Sequence, residues 1–134
     1  MILLDSSFLI ALYNPRDRNR QRAHDFLRSN TQPLLLPEVA LAEIAHMLRR
    51  YVGHRAVLAF IDGLAGVTLQ SVTEADLHRA REILTQYADN DFDLVDCCIM
   101  ALSERLNITQ VLTFDRRDFQ VYRPRHIAHF DLIP

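Results

Sequence analysis

The sequence predicts an α/β fold of three layers, with helices on both faces of a central parallel sheet of four to five strands. Two observations carry this. Short apolar runs without polar alternation recur at Ile2–Leu4, Pro33–Leu36 and Val111–Thr113, the composition of strands covered on both faces, and Val67–Ser71 reads as a further strand. Longer stretches with helical apolar spacing lie between them, so strand and helix alternate as in a sheet built by crossover connections. With 134 residues, 49% of them hydrophobic, and only three Gly and five Pro, residues 1–134 read as one domain with a core of its own. No internal repeat, linker or low-complexity tract interrupts it.

Each element has a local reason. Ile2–Leu4 ends at Asp5, and Ser6 and Ser7 lead into the apolar run Phe8–Leu12: strand, acid, turn, helix. Asp is a favoured helix N-cap, and ligands of open α/β sheets sit outside the carboxyl ends of the strands, so Asp5 suits either role. Asn14-Pro15 breaks the first helix. RDRNRQRAHDFLRSN then reads as a second, with Ala23, Phe26 and Leu27 inward and the arginines outward. After the strand Pro33–Leu36, Pro37 stands in the first turn of a helix, where Pro is tolerated. That helix runs through EVALAEIAHMLRRY to Gly53, and another covers His54–Leu64. Beyond Val67–Ser71, Thr73 opens a helix with Glu74 and Asp76 in its first turn, favourable to the helix dipole. ADNDFD is a polar turn, and Asp93–Leu106 is a helix stopped near Asn107. Val111–Thr113 is followed by FDRRDF, and Ile127–Leu132 adds a fifth strand or edge piece.

Charge and composition exclude several chemistries. All 15 basic residues are Arg, and the net charge is −2. With no Lys, neither a Walker phosphate loop nor a Schiff base can form. A nucleic-acid binder of this balance needs a local basic patch or bound metal. Arg16, Arg18, Arg20 and Arg22 form the densest basic run, either a solvated helix face or a contact for a phosphate backbone. Cys97 and Cys98 are adjacent and match no redox or disulfide spacing, as expected of incidental buried thiols in a cytoplasmic protein. The N-terminus lacks a signal peptide's charge pattern, and no apolar run is long enough to span a membrane. The six histidines are scattered without a zinc-binding spacing.

Four acids stand where their elements meet the strand-end crevice. Asp5 follows ILL and Asp115 follows VLT. Glu43 falls in register with Val39 and Met47, beside the row Ala40, Ile44 and Leu48, where a charge is costly unless it is paired or reaches water. Asp96 leads a row with Met100 and Ser103, beside the apolar face Val95, Ile99, Leu102 and Leu106. It occupies the first turn, where the helix dipole favours a carboxylate. Asp93 fits the N-cap of that helix, and Asp118 reads as a surface loop acid. Ser7 and Thr113 offer hydroxyls beside Asp5 and Asp115. Clustered carboxylates repel one another and call for a cation. All-oxygen donors select Mg²⁺ or Mn²⁺, ions that activate water and support in-line displacement at phosphorus.

The segments LLDSSFLIAL, PEVALAEIAHML, FDLVDCCIMALSERLN and VLTFDRRDF, in that order, resemble the PIN-domain family, in particular the small bacterial proteins that serve as toxins of VapBC toxin–antitoxin pairs. The resemblance spans nearly the whole chain. It implies a metal-dependent endoribonuclease in which Asp5, Glu43, Asp96 and Asp115 bind Mg²⁺ or Mn²⁺, Ser7 and Thr113 support them, and cleavage leaves a 5′-phosphate and a 3′-hydroxyl. It also implies a homodimer held by an antitoxin whose segment enters the active-site groove. The family commonly has Ser or Thr where this chain has Asp93, so an extra acid there either alters the site or only caps the helix. A receiver-type signalling module and a haloacid dehalogenase-type phosphatase both require a Lys that this chain lacks, and the latter needs an acid where Ser7 stands. A PIN nuclease acting outside a toxin pair, and a non-catalytic RNA- or protein-binding PIN module, remain as alternatives.

Overall fold

A computed structural model describes residues 1–134. Five strands, β1 (Ile2–Leu4), β2 (Leu34–Pro37), β3 (Thr68–Gln70), β4 (Gln110–Leu112) and β5 (Asp131–Ile133), form one parallel sheet in the order β3-β2-β1-β4-β5. Seven α-helices cover it: α1 (Ser6–Tyr13), α2 (Arg20–Ser29), α3 (Leu41–Tyr51), α4 (His54–Gly63), α5 (Glu74–Gln86), α6 (Leu94–Leu106) and α7 (Arg117–Val121).

The pleat of β1 explains the three layers. Ile2 and Leu4 point into one core with Phe8, Leu12, Ile44, Leu48 and Phe60 of α1, α3 and α4. Leu3 points into the other with Ala80, Ile83, Ile99 and Phe119 of α5, α6 and α7. Successive strand residues face opposite sides, so a strand in this position must be apolar throughout. Leu35 and Leu36 divide between the two cores in the same way, as do Val111 and Leu112. From Cys97 to Ser103, every residue of α6 is buried, and both cysteines are free thiols.

Topology brings the strand ends together. β1 lies between β2 and β4, with Leu4 opposite Leu112. The next residues, Asp5 and Thr113, therefore emerge side by side. The chain winds outward from β1 in both directions, and such a reversal of strand order opens a crevice at the carboxyl edge.

Local departures from the sequence reading have visible causes. The helix expected from Arg16 begins only at Arg20. The Asn14 side chain accepts from the Arg16 amide (3.1 Å) and the Asp17 side chain from that of Asn19 (2.8 Å), local turns that compete with helix. The stretch after Pro37 opens as a 3₁₀ turn, Glu38–Ala40, which leaves Glu43 in the first turn of α3. The fifth strand expected at Ile127–Leu132 begins only at Asp131 and runs to Ile133, as a parallel neighbour of β4. The short helix α7, which the sequence reading did not anticipate, begins within FDRRDF. Thr73 and Asp76 form a reciprocal capping box at α5. Asp76 also accepts two bonds from Arg105, at 2.8 and 2.9 Å, tying α5 to α6. No helix is long and apolar enough to cross a membrane.

The corner between α3 and α4 depends on Gly53, whose φ is +132°. L-residues rarely adopt this conformation. A Cβ there would meet nothing within 4 Å, so the cost of Gly53→Ala comes from backbone strain alone. It is expected to lower stability by about 1–3 kcal/mol, read as a lower Tm with an unchanged circular dichroism spectrum at 20 °C.

Candidate active site

Asp5 is 3% exposed. It caps α1 by accepting the Ser7 amide at 3.3 Å. The same oxygen, Oδ2, accepts the Ser7 hydroxyl at 2.5 Å and the Thr113 hydroxyl at 2.8 Å, so all three bonds fall on Oδ2 and none on Oδ1. Both hydroxyls are polarised by amides of the turn after β4: Phe114 donates to Ser7 Oγ at 3.0 Å, and Asp115 donates to Thr113 Oγ1 at 3.0 Å. Burial pushes the Asp5 pKa up, and the bonds from Ser7 and Thr113 work against it. Ser7 and Thr113 thus join the ends of β1 and β4 and hold one carboxylate fixed.

Glu43 reaches the same edge from α3. It is half-buried, and its Oε1 accepts the Ser6 hydroxyl at 3.0 Å. Burial raises its pKa; the Ser6 bond opposes the rise, and the charges of Asp93 and Asp5 add to it. Ser6 escaped the sequence reading because nothing in DSS distinguishes the two serines. Only the opening turn of α1 sends them apart, Ser7 toward Asp5 and Ser6 toward α3.

Asp96 is strongly perturbed within the crevice. Its pKa is pushed up to about 8, first by burial and then by the charges of Asp5, Asp93, Asp118 and Asp115. Its side chain makes no hydrogen bond that offsets this. Asp93 is the N-cap of α6, accepting the Asp96 amide at 2.8 Å. Asp115 is exposed, and its backbone is pinned to Thr113 and Ser7. Asp118, expected on a loop, lies in the first turn of α7 with its side chain 21% exposed and 3.4 Å from the Arg117 guanidinium. It also faces Asp96, a role visible only once α7 is known. No three His, Cys, Asp or Glu side chains stand close enough together to hold an ion as they are; the acids face one another at the range of mutual repulsion. The neighbouring Cys97 thiol is pushed up to about 12 by burial and by Asp96 and Asp93, which leaves it protonated and unreactive near neutral pH.

The basic run divides. Arg16 and Arg18 line a cleft with Ser7, Asn14, Phe114 and Asp115, beside the acids. Arg20 faces a separate shallow cleft with His24 and Arg28. The Arg22 guanidinium lies 5.3 Å over the Phe114 ring and donates to the Pro134 carbonyl at 3.2 Å. An apolar cavity of about 190 Å³ between α1 and α4 includes none of the acids.

The chain is an α/β domain with acids gathered at the switch point of its parallel sheet, and the sequence profile of the PIN domain matches residues 2–123. The chain belongs to the PIN-domain family. Ribonuclease VapC26 of Mycobacterium tuberculosis (strain H37Rv) is 27% identical over 135 residues, covering 99% of this chain and 100% of the relative. The 23S rRNA-specific endonuclease VapC20 of the same species is 29% identical over 121 residues, 86% of this chain and 89% of that protein. The crystal structure of M. tuberculosis VapC20, described as a Sarcin-Ricin loop cleaving toxin, superposes with a TM-score of 0.80 at 26% identity, covering 86% and 90% of the two chains. A chain of the VapBC2 complex from Rickettsia felis shares the fold, with a TM-score of 0.72 at 14% identity and full coverage of both chains.

Proposed function

We propose that residues 1–134 act as a single PIN-like unit, an endoribonuclease dependent on Mg²⁺ or Mn²⁺ and the toxin of a VapBC-type pair. The observation that carries this is Asp96. A half-buried carboxylate pressed by four neighbouring acids cannot ionise cheaply near neutral pH, and a hard divalent cation is the partner that relieves all five at once. The donor chemistry therefore fits the ion that the family implies. Asp5, Glu43, Asp96 and Asp115 are the residues that would hold it. Bound there, the cation neutralises charge developing on phosphate oxygens and lowers the pKa of water for in-line attack on phosphorus.

The protein's own groups do the rest. Ser7 and Thr113 hold the Asp5 carboxyl oriented and oppose the upward push of burial on its pKa. Ser6 holds Glu43 toward the cleft. Asp93 is committed to capping α6, which fixes the turn that presents Asp96. Arg16 and Arg18 lead a phosphate backbone into the cleft shared with Asp115. The products are a 5′-phosphate and a 3′-hydroxyl. The names of the relatives support RNA as substrate and an antitoxin as partner; the working form proposed is a homodimer in the cytoplasm.

The test is incubation of purified protein with cellular RNA in Mg²⁺, Mn²⁺ or chelator, beside Asp5→Asn. Cleavage that needs a metal and is lost in a folded Asp5→Asn supports the reading; a variant that still cleaves overturns it. Replacing Arg16 and Arg18 together by Ala is expected to weaken RNA binding and to reduce the salt slope of log K by about 1.4, from roughly 0.7 per phosphate contact on single strands. Binding titrations at several salt concentrations measure this.

A further inference from the structure

Five of the 15 arginines are ion-paired, and three of the unpaired ones cluster at one corner of the fold. Arg28, Arg79, Arg105, Arg117 and Arg125 are each ion-paired. Arg49, Arg50 and Arg55 are exposed and belong to no ion pair in the molecule. They flank the Gly53 corner between α3 and α4, with His46 and His54 on the same stretch. From Ile44 to Ile61 there is no Asp or Glu. In a chain of net charge −2, an unopposed cationic corner concentrates anions locally.

An aromatic ring sits in this corner. Tyr51 is 52% exposed, and the Arg50 guanidinium lies 5.6 Å from its ring centroid. Arg49 reaches across the corner to His54 Nδ1 at 3.3 Å. The corner is tied to the cleft beside the acids by one hydrogen bond and shares a helix with Glu43. Arg16, which lines the cleft with Asp115, donates to the Tyr51 carbonyl at 2.9 Å. Glu43 stands eight residues before Tyr51 on the same helix, about 12 Å along its axis. Guanidinium groups beside an exposed ring are the elements that hold single-stranded nucleic acid: cations follow the backbone and a base stacks on the aromatic face. Paired bases in a duplex offer no free face for such stacking.

We infer that the α3–α4 corner is a substrate subsite, in which Tyr51 stacks an unpaired base of the RNA and Arg49 and Arg50 contact its flanking phosphates. This rests on the endoribonuclease reading and adds a positioning site outside the acidic crevice. It gives a role to three exposed cations on a stretch with no acid of its own. The selectivity it confers is for single-stranded or looped RNA over duplex.

The test measures binding in chelator, where cleavage does not intervene, using a fluorescein-labelled single-stranded oligoribonucleotide of mixed sequence. Tyr51→Ala is expected to raise Kd roughly tenfold, the scale of one lost base stack, while Tyr51→Phe binds like the wild type. Arg49→Ala/Arg50→Ala is expected to weaken binding and reduce the salt slope by about 1.4. Duplex RNA should be indifferent to Tyr51. In metal, Tyr51→Ala should raise KM for the single strand and leave kcat unchanged. All three side chains are exposed, and an unchanged Tm excludes a loss of fold. The subsite is overturned if Tyr51→Ala binds single-stranded RNA like the wild type. It is also overturned if single strand and duplex are weakened alike, or if the variant loses only a co-expressed protein partner and no RNA affinity. These outcomes are separate from those that overturn the nuclease reading, which are read from metal-dependent cleavage by the wild type and by Asp5→Asn.

Discussion

Asp96→Asn is expected to reduce RNA cleavage by roughly 10³-fold and, in chelator at pH 8, to raise the Tm of the protein. The loss of activity follows from removing a carboxylate that would hold the cation, whose stabilisation of the reaction is worth several kcal/mol, a factor of about 10³ in rate. The gain in stability follows from the same residue. Asp96 is half-buried, has no hydrogen-bonding partner to offset burial, and faces Asp5, Asp93, Asp118 and Asp115. An amide of the same shape carries no charge to desolvate or repel. Activity and stability move in opposite directions here because the site holds destabilised groups for its chemistry. Melting curves and cleavage of labelled RNA on the same preparations measure both effects. A variant that loses Tm along with activity would mean that Asp96 serves the fold instead.

In chelator, the Tm of the wild type is expected to fall as pH rises from about 5 to about 8. Asp96, Asp5 and Glu43 all have folded-state pKa values above their ordinary ones. Between the ordinary carboxylate range and about 8, where Asp96 titrates, the folded state binds more protons than the unfolded chain. Stability therefore falls with rising pH across that window. It is greatest when these groups are protonated and decreases as they ionise against one another. Asp96→Asn should flatten the slope. Mg²⁺ or Mn²⁺ should reverse the trend, because a cation that binds only the folded state adds stability by mass action and competes with protons for the same oxygens. The metal-induced rise in Tm should thus be larger at pH 8 than at pH 5.5. A Tm that climbs with pH in chelator, with the same slope in Asp96→Asn, would contradict this account of the crevice.

How much could be read beforehand follows from what each residue's neighbours in sequence reveal. β1 and β4 were legible because a strand buried on both faces has no polar position, and Ile2–Leu4 and Val111–Leu112 have none. α6 was legible at both ends: Asp93 is a capping acid, and Asn107 adopts the left-handed conformation, φ +53°, that ends a helix. Asp5 and Asp115 could be paired because each follows a buried strand. Other features depend on contacts that local sequence does not encode. The bond from Ser6 to Glu43 spans 37 residues. Asp118 joins the acids only through α7, a five-residue helix too short to show a period. Arg16 and Arg18 look like part of an amphipathic helix until Asn14 and Asp17 take local amides and hold them in turns at the mouth of the cleft. The acid-free stretch 44–61 is visible in the sequence, but that its arginines find no ion-pair partner is a property of the packed chain.

Manganese binding and RNA cleavage, measured on the same samples, test the central claim most directly. Calorimetry with Mn²⁺ and cleavage of end-labelled RNA would be run on the wild type and on Asp5→Asn, Glu43→Gln, Asp96→Asn and Asp115→Asn, each checked for fold by its melting curve. The account predicts that the wild type binds and cleaves, and that each variant loses affinity for the ion and cleavage together. Cleavage by the wild type in chelator, or a variant that cleaves normally after losing the ion, would contradict it.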